Sequence, residues 1–307
     1  MSRAVVFAYH NVGVRCLAVL LAHGVEVPFV FTHEDDASEN VWFGSVARFA
    51  REHDIEVSTA PDPNAAECLA RVRACAPEFI FSFYYRRMLA AALLAVAPRG
   101  ALNMHGSLLP KYRGRAPVNW AVVRGERETG ASLHYMAEKP DAGALVGRER
   151  VPILPDDSAR EVFDKVTVAA ELLLDRVLPD LLAGRARAEA QVLAEGSYFG
   201  ARRPEDGRID WRRPAAEIHN LVRGVAPPYP GAFCRLGART LKVLRSRVGA
   251  RLASSDAAPV LASDARGVYA RCGDGVALRL LECELDGGAL SPERLRAELG
   301  AEPVPLA

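Results

Sequence analysis

Apolar residues fall in short unbroken runs through the first third of the chain, each separated from the next by a stretch with helical spacing. Residues 4–8, 27–31, 78–83 and 101–104 read as strands, with a shorter one at 56–59. Between them the pattern predicts helices over 14–23, stopped by Gly24, and over 45–53, 65–75 and 88–96. Strands that are apolar without alternation are buried on both faces. Alternating with helices, they predict an α/β fold: a Rossmann-like, mostly parallel sheet with helices on both faces.

The pattern then changes. Residues 129–136 and 145–151 read as two strands around an ordered loop. Ser158 and Glu161 have capping-box spacing and open a long amphipathic helix through Val162, Phe163, Val166, Leu172, Leu173 and Val177. Pro179 is expected to kink or end that helix, and Gly184 to close the segment. From residue 204 the runs shorten. A helix over 215–225 and a proline-rich loop at 227–231 precede short strands at 232–236, 240–246, 268–272 and 276–284. That texture predicts a smaller C-terminal β-rich barrel or sandwich. Residues 249–262 read as a loose loop, and the expected domains are 1–203 and 204–307.

Charge and composition narrow the partners. The 307 residues carry 39 basic and 38 acidic side chains, a balance that argues against gripping a nucleic-acid backbone. The six cysteines have no CxxC pair, which fits free thiols in a reducing cytoplasm. No apolar run reaches membrane-spanning length, and the N-terminal run reads as a first strand rather than a signal segment. No GxGxxG or GxxxxGK[ST] occurs, so neither bound NAD nor ATP-driven chemistry is expected. His10, His23, His33, His53, His134 and His219 are scattered without ligand spacing; they read as surface or packing residues, and no metal is expected.

The chemistry concentrates in Asn103-Met104-His105-Gly106-Ser107-Leu108-Leu109-Pro110 and in Pro140-Asp141-Ala142-Gly143. Asn103 and His105 are two apart, so on a strand they share a face. With Asp141 they supply an oxyanion donor, a proton shuttle and an acid that tunes the shuttle, a set suited to acyl transfer. The loop after His105 carries Lys111, Arg113 and Arg115, and either arginine is suited to gripping an anionic substrate. Ser107, although it adjoins His105, is not expected to be essential, because amine attack on an acyl carbon needs no enzyme nucleophile.

The stretch from Asn103 to Gly143 strongly resembles the 10-formyltetrahydrofolate-dependent formyltransferases, in which Asn, His and Asp form the catalytic set and SLLP follows the histidine. The resemblance extends to residues 5–10, 43–48, 81–86, 105–120, 230–233 and 272–275. It is strongest to the branch that formylates UDP-4-amino-4-deoxy-L-arabinose in lipid A modification and polymyxin resistance. It implies catalytic roles for Asn103, His105 and Asp141 and an OB-like C-terminal domain. The co-substrate would be 10-formyltetrahydrofolate, held by Arg87, Met88, Leu89, Arg115 and the run Ala137, Glu138, Lys139, Pro140, Asp141. Arg87 stands where the family has histidine, and Pro140 where it has alanine.

The acceptor implied is the 4-amino group of the UDP sugar. Arg202, Arg203, Asn220 and Arg223 are the candidates to hold its nucleotide. Other nucleotide-linked amino sugars, such as a dTDP-4-amino-4,6-dideoxyhexose, remain open as acceptors, as does methionyl-tRNA. Hydrolysis of the formyl donor and non-catalytic binding also remain. The bifunctional members of that branch carry an NAD-dependent decarboxylase domain; this sequence, ending at Ala307, fits either a standalone enzyme or an excised domain with a decarboxylase as fused or separate partner.

Overall fold

A computed structural model describes residues 2–35, 40–252, 258–300 and 302–306. The elements run β1 (Arg3–Ala8), α1 (His10–Ala22), β2 (Glu26–Phe31), α2 (Val46–Glu52), β3 (Glu56–Ser58), α3 (Ala66–Ala74), β4 (Phe79–Phe83), α4 (Ala91–Leu94) and β5 (Ala101–His105). Next come β6 (Arg113–Gly114), α5 (Pro117–Val123), β7 (Glu128–Tyr135), β8 (Leu145–Pro152), α6 (Ala159–Leu182) and β9 (Tyr198–Phe199). The remainder is α7 (Ala215–Gly224), β10 (Ala232–Leu236), β11 (Arg239–Arg251), β12 (Val260–Asp264), β13 (Gly267–Arg271), β14 (Val276–Leu285), β15 (Gly288–Ala289), α8 (Pro292–Leu299) and β16 (Val304–Pro305).

The chain forms two units. One comprises residues 1–117, 128–152 and 163–200; the other comprises 118–127, 153–162 and 201–307. In the first, the sheet order is β3-β2-β1-β4-β5-β7-β8. β1 to β5 pair in parallel, whereas β7 and β8 are antiparallel. The chain lays β2 and β3 on one side of β1 and then starts outward on the other with β4, so strand order reverses beside β1. Ligands in such sheets bind at the carboxyl ends near that reversal. The uninterrupted strands are buried as expected: Phe7 stacks on Phe31 at 4.5 Å, and Val5, Phe29 and Ile80 complete the same core.

The second unit is an antiparallel β-sheet of order β10-β11-β14-β13-β12-β16, with β15 paired to β14. Its core gathers Trp211, Ile218 and Val222 against Leu241, Val243, Leu278 and Leu285. This is the small β-rich domain the short alternating runs predict.

Two local expectations need correction, one is narrowed, and one element is added. The helix over 88–96 shrinks to Ala91–Leu94. Asn64 holds the preceding residues out of it, donating to the Met88 carbonyl at 2.9 Å and accepting from the Ala90 N–H at 2.7 Å. Pro179 does not end α6, which runs on to Leu182. Arg99 caps the exposed carbonyls there, donating to Leu181 and Leu182 at 2.7 Å each, and a cation suits a helix C-terminus. Part of the expected loop at 249–262 is strand, since β11 reaches Arg251 and β12 begins at Val260; residues 253–257 lie outside the described set. Helix α8, opened by the Ser291 side chain accepting from the Arg294 N–H at 3.2 Å, is an addition the apolar pattern did not reveal. The capping box at Ser158 and Glu161 forms as expected, with the Ser158 N–H donating to Glu161 at 2.7 Å.

Candidate active site

Strand β5 alternates between two environments. Leu102 and Met104 face the core, while Asn103 and His105 share the other face. β7 runs antiparallel beside it, with His134 directly opposite Asn103. Its exit loop therefore leaves near the amino end of β5, where the Met136 N–H donates to the Ala101 carbonyl at 2.7 Å. The loop then folds back along the Asn103–His105 face and delivers Asp141. The backbone of Asp141 has φ +51°, a left-handed conformation that aspartate tolerates better than most residues.

Three groups converge on one oxygen of Asp141. Oδ1 lies 3.6 Å from Nδ1 of His105, 3.5 Å from Nε2 of His134 and 3.5 Å from Nδ2 of Asn103. Oδ2 accepts the backbone N–H of Gly114 at 2.9 Å. Gln191 braces the loop from below, donating to the carbonyls of Asp141 at 3.0 Å and Gly143 at 2.6 Å. Burial alone pushes the Asp141 carboxyl up, but the neighbouring His105 and His134 imidazoles and the backbone N–H of Gly114 outweigh it. The group is held well below the usual carboxylate range.

His105 is 6% exposed, and its Nε2 lies 2.8 Å from the Tyr112 carbonyl. A carbonyl only accepts, so Nε2 carries hydrogen and the neutral ring keeps its lone pair on Nδ1, beside Asp141. The backbone of Tyr112 thus fixes the tautomer of the neutral ring. A proton taken up at Nδ1 would meet the carboxylate directly.

The turn after His105 has no room for a side chain: a Cβ at Gly106 would lie 1.7 Å from the Tyr84 hydroxyl oxygen. Tyr84 itself follows β4 with φ +59°, and Tyr112 has φ +58°. Bulky residues adopt that conformation only where their surroundings impose it, and such strain gathers at functional sites. Ser107, beside the histidine, donates to the Lys111 carbonyl at 2.7 Å and so shapes the loop.

The residues expected to hold the formyl donor lie around this centre. Arg87 and Met88 are exposed and Leu89 is buried, just past the end of β4. Arg115 is exposed, with Nη2 3.4 Å from the Arg86 carbonyl, so its loop and the 86–89 segment meet. Ala137, Glu138 and Lys139 are exposed and Pro140 is half-buried on the loop that carries Asp141. Arg113, the other candidate anion grip, is 7% exposed, and its Nε and Nη1 have no hydrogen-bond partner among the described residues.

The four acceptor candidates lie in the second unit and do not form one cluster. Arg202 sits over the Trp120 ring at 4.5 Å and donates to the Asp206 carbonyl at 2.9 Å, while Arg203 is exposed. Arg223 is 7% exposed and donates to Asn220 at 2.8 and 2.9 Å and to the Asp157 carbonyl at 3.0 Å. Arg202, Asn220 and Arg223 thus each have partners within the fold, while Arg203 is exposed. His134, which reads as a surface or packing residue in the sequence, and Gln191 also stand at this centre. A lone histidine on a strand gives no signal until its cross-strand partner is known.

The sequence profile described as formyl transferase matches residues 16–178, just over half of the chain, and that of the formyl transferase C-terminal domain matches 202–294. The chain belongs to the formyl transferase family. Solved structures show the same fold. An N-formyltransferase from Helicobacter canadensis, in complex with folinic acid and dTDP-3-aminofucose, is 19% identical with a TM-score of 0.71, over 91% of this chain and 99% of that one. WlaRD, a sugar 3N-formyl transferase solved in the presence of dTDP and 5-N-formyl-THF, is 18% identical with a TM-score of 0.72, over 95% and 98%. A 4-N formyltransferase from Francisella tularensis is 20% identical with a TM-score of 0.61, over 76% and 91%. As a formyl transferase, this protein presents an amide, an imidazole and an ionised carboxylate on one face of β5. No helix among the described residues is long and apolar enough to cross a membrane.

Proposed function

We propose that this formyl transferase moves the formyl group of 10-formyltetrahydrofolate to the amino group of a nucleotide-linked sugar, the 4-amino group of UDP-4-amino-4-deoxy-L-arabinose. The observation that carries the reading is the convergence of Asn103, His105 and Asp141 around a single carboxylate oxygen. The folate and dTDP-sugar ligands of the relatives support a folate donor and a nucleotide-sugar amine, and the Francisella relative supports the 4-position. The uridine and arabinose parts rest on the sequence resemblance.

The neutral sugar amine attacks the formyl carbon, and a new C–N bond forms as the carbonyl electrons move to oxygen. An amide N–H of Asn103 donates to that oxyanion. Nδ1 of His105 takes the amine proton, and the adjacent Asp141 carboxylate stabilises the imidazolium. The intermediate then collapses, the bond to folate N10 breaks, and the proton passes to that nitrogen. Tetrahydrofolate and an N-formyl sugar leave, with no covalent enzyme intermediate. Arg202 and Arg203 contact the nucleotide.

A second reading keeps this chemistry on a dTDP-linked amino sugar, favoured by the dTDP ligands of the relatives. Tetrahydrofolate release, measured with the UDP sugar, dTDP-3-amino and dTDP-4-amino sugars and methionyl-tRNA side by side, separates them. Turnover with the UDP sugar supports the proposal. Turnover with a dTDP sugar alone moves the acceptor, and turnover with methionyl-tRNA alone overturns the sugar reading.

A further inference from the structure

His134 is 1% exposed and faces Asn103 across the β5–β7 pair. Its Nδ1 lies 2.8 Å from the Tyr135 carbonyl oxygen. Because a carbonyl only accepts, Nδ1 carries hydrogen; in its neutral form the ring then presents a bare Nε2 to the interior, with Oδ1 of Asp141 3.5 Å away. Nδ2 of Asn103 lies 3.2 Å from that Nε2. The other neighbour of the same amide nitrogen is Oδ1 of Asp141, at 3.5 Å. Both neighbours accept, so the amide presents its NH₂ end to them and its oxygen elsewhere.

We infer that His134 is a positioning residue for formyl transfer: its neutral ring takes one amide hydrogen of Asn103 and so aims the other at the developing oxyanion. The contact to Asp141 is the weaker of the two, at the limit of hydrogen-bond range, so that second hydrogen is the one released when an oxyanion forms. Without the ring, the amide can turn over and present its oxygen, which repels an oxyanion. An oxyanion donor has its effect only when aimed before the charge develops. His134 touches neither donor nor acceptor in this scheme and acts through Asn103. The inference rests on the proposed role of Asn103 as the oxyanion donor.

The test combines a kinetic cycle with a spectroscopic readout that needs no turnover. His134→Phe keeps an aromatic ring of similar size and removes the acceptor. We expect kcat to fall about 10- to 100-fold, the range for misplacing a reacting group, with KM for the formyl donor within threefold. His134→Gln, whose side-chain oxygen can still accept, should recover part of the loss. In an Asn103→Ala background, His134→Phe should cost less than about twofold, since its partner is already gone. An equal loss in both backgrounds overturns the inference and leaves His134 a packing residue.

Independently, ¹⁵N NMR of the histidine rings in the wild type should show His134 neutral with hydrogen on Nδ1. A charged ring, or hydrogen on Nε2 alone, overturns it. Absence of formyl transfer by the wild type with every acceptor would instead sink the proposed function, and the ring's tautomer would still decide how Asn103 is held.

Discussion

The backbone N–H of Gly114 donates to Oδ2 of Asp141 at 2.9 Å, tying the loop after β5 to the loop after β7. Two segments far apart in sequence close on each other there, and the closure fixes which carboxylate oxygen faces His105. Gly114 adopts φ +99°, and a Cβ on it would lie 2.1 Å from the Phe199 carbonyl oxygen, so this donor is available only from glycine.

Asp141→Asn keeps the shape and removes the charge that stabilises the His105 imidazolium. We expect kcat to fall about 10²-fold or more, within the span of general acid–base contributions. The stability effect has a sign. The folded carboxyl titrates below its ordinary value, so ionised Asp141 stabilises the fold fully above about pH 4, the unfolded value, and that contribution is lost as pH falls toward the folded one. The gap in Tm between wild type and Asp141→Asn should be widest near pH 7 and should narrow below pH ~4. A gap independent of pH would contradict the charge account.

Removing Asn103 and removing His105 should both strike kcat. Asn103→Ala is expected to cost about 10²–10³ in rate, as for a lost oxyanion donor. His105→Ala should cost about 10²–10⁴. Ser107→Ala should leave kcat within severalfold and instead lower stability by about 1–3 kcal/mol, because the Lys111 carbonyl loses its donor. Steady-state kinetics with thermal melts on the three variants separates the roles; near-equal rate losses at Ser107 and His105 would refute the assignment.

How far the sequence carried this far depends on what each signal encodes. The buried strands Phe79–Phe83 and Ala101–His105 were legible because burial on both faces demands unbroken apolar runs. Asn103 and His105 were legible as a pair because strand period places them on one face. Their pairing with His134 was not, since cross-strand register depends on how the whole sheet assembles. Arg99 capping α6 and Gln191 bracing the Asp141 loop are long-range contacts of the same kind, and no local pattern announces them. The bonds from Arg223 to Asn220 and to the Asp157 carbonyl were not legible either, since the second joins segments far apart in sequence.

The Gly106 turn should resist any side chain. Gly106→Ala would place a Cβ 1.7 Å from the Tyr84 hydroxyl oxygen, forcing the tyrosine or β5 to shift. Overpacking of this kind costs about 1–3 kcal/mol, and the neighbouring His105 should carry the displacement into a lower kcat. Combining it with Tyr84→Phe removes the closest atom and leaves the ring carbon at 2.8 Å, so recovery should be partial. Full activity in Gly106→Ala alone would contradict the packing.

Thiol reagents should leave the reaction largely untouched. Five of the six cysteines are buried; burial pushes the Cys272 thiol up to about 12 and the Cys283 thiol up to about 11. Thiolates are the reactive form, so alkylation at neutral pH should be confined to half-buried Cys75, with kcat unchanged. Rapid inactivation matched to one modified cysteine would point to a covalent route.

The acceptor assignment predicts a selective effect at Arg202. Its guanidinium lies over the Trp120 ring, and its Nη1 has no hydrogen-bond partner among the described residues. Arg202→Gln should raise KM for the sugar nucleotide severalfold while leaving KM for the folate unchanged. An unchanged acceptor KM would remove Arg202 from the nucleotide site.

The central claim is tested most directly by a single-turnover reaction of the protein with 10-formyltetrahydrofolate and UDP-4-amino-4-deoxy-L-arabinose, read by mass spectrometry. The account predicts one N-formyl sugar for each tetrahydrofolate formed, with both products lost together in His105→Ala. Formate in place of the formyl sugar, or undiminished transfer by His105→Ala, would contradict it.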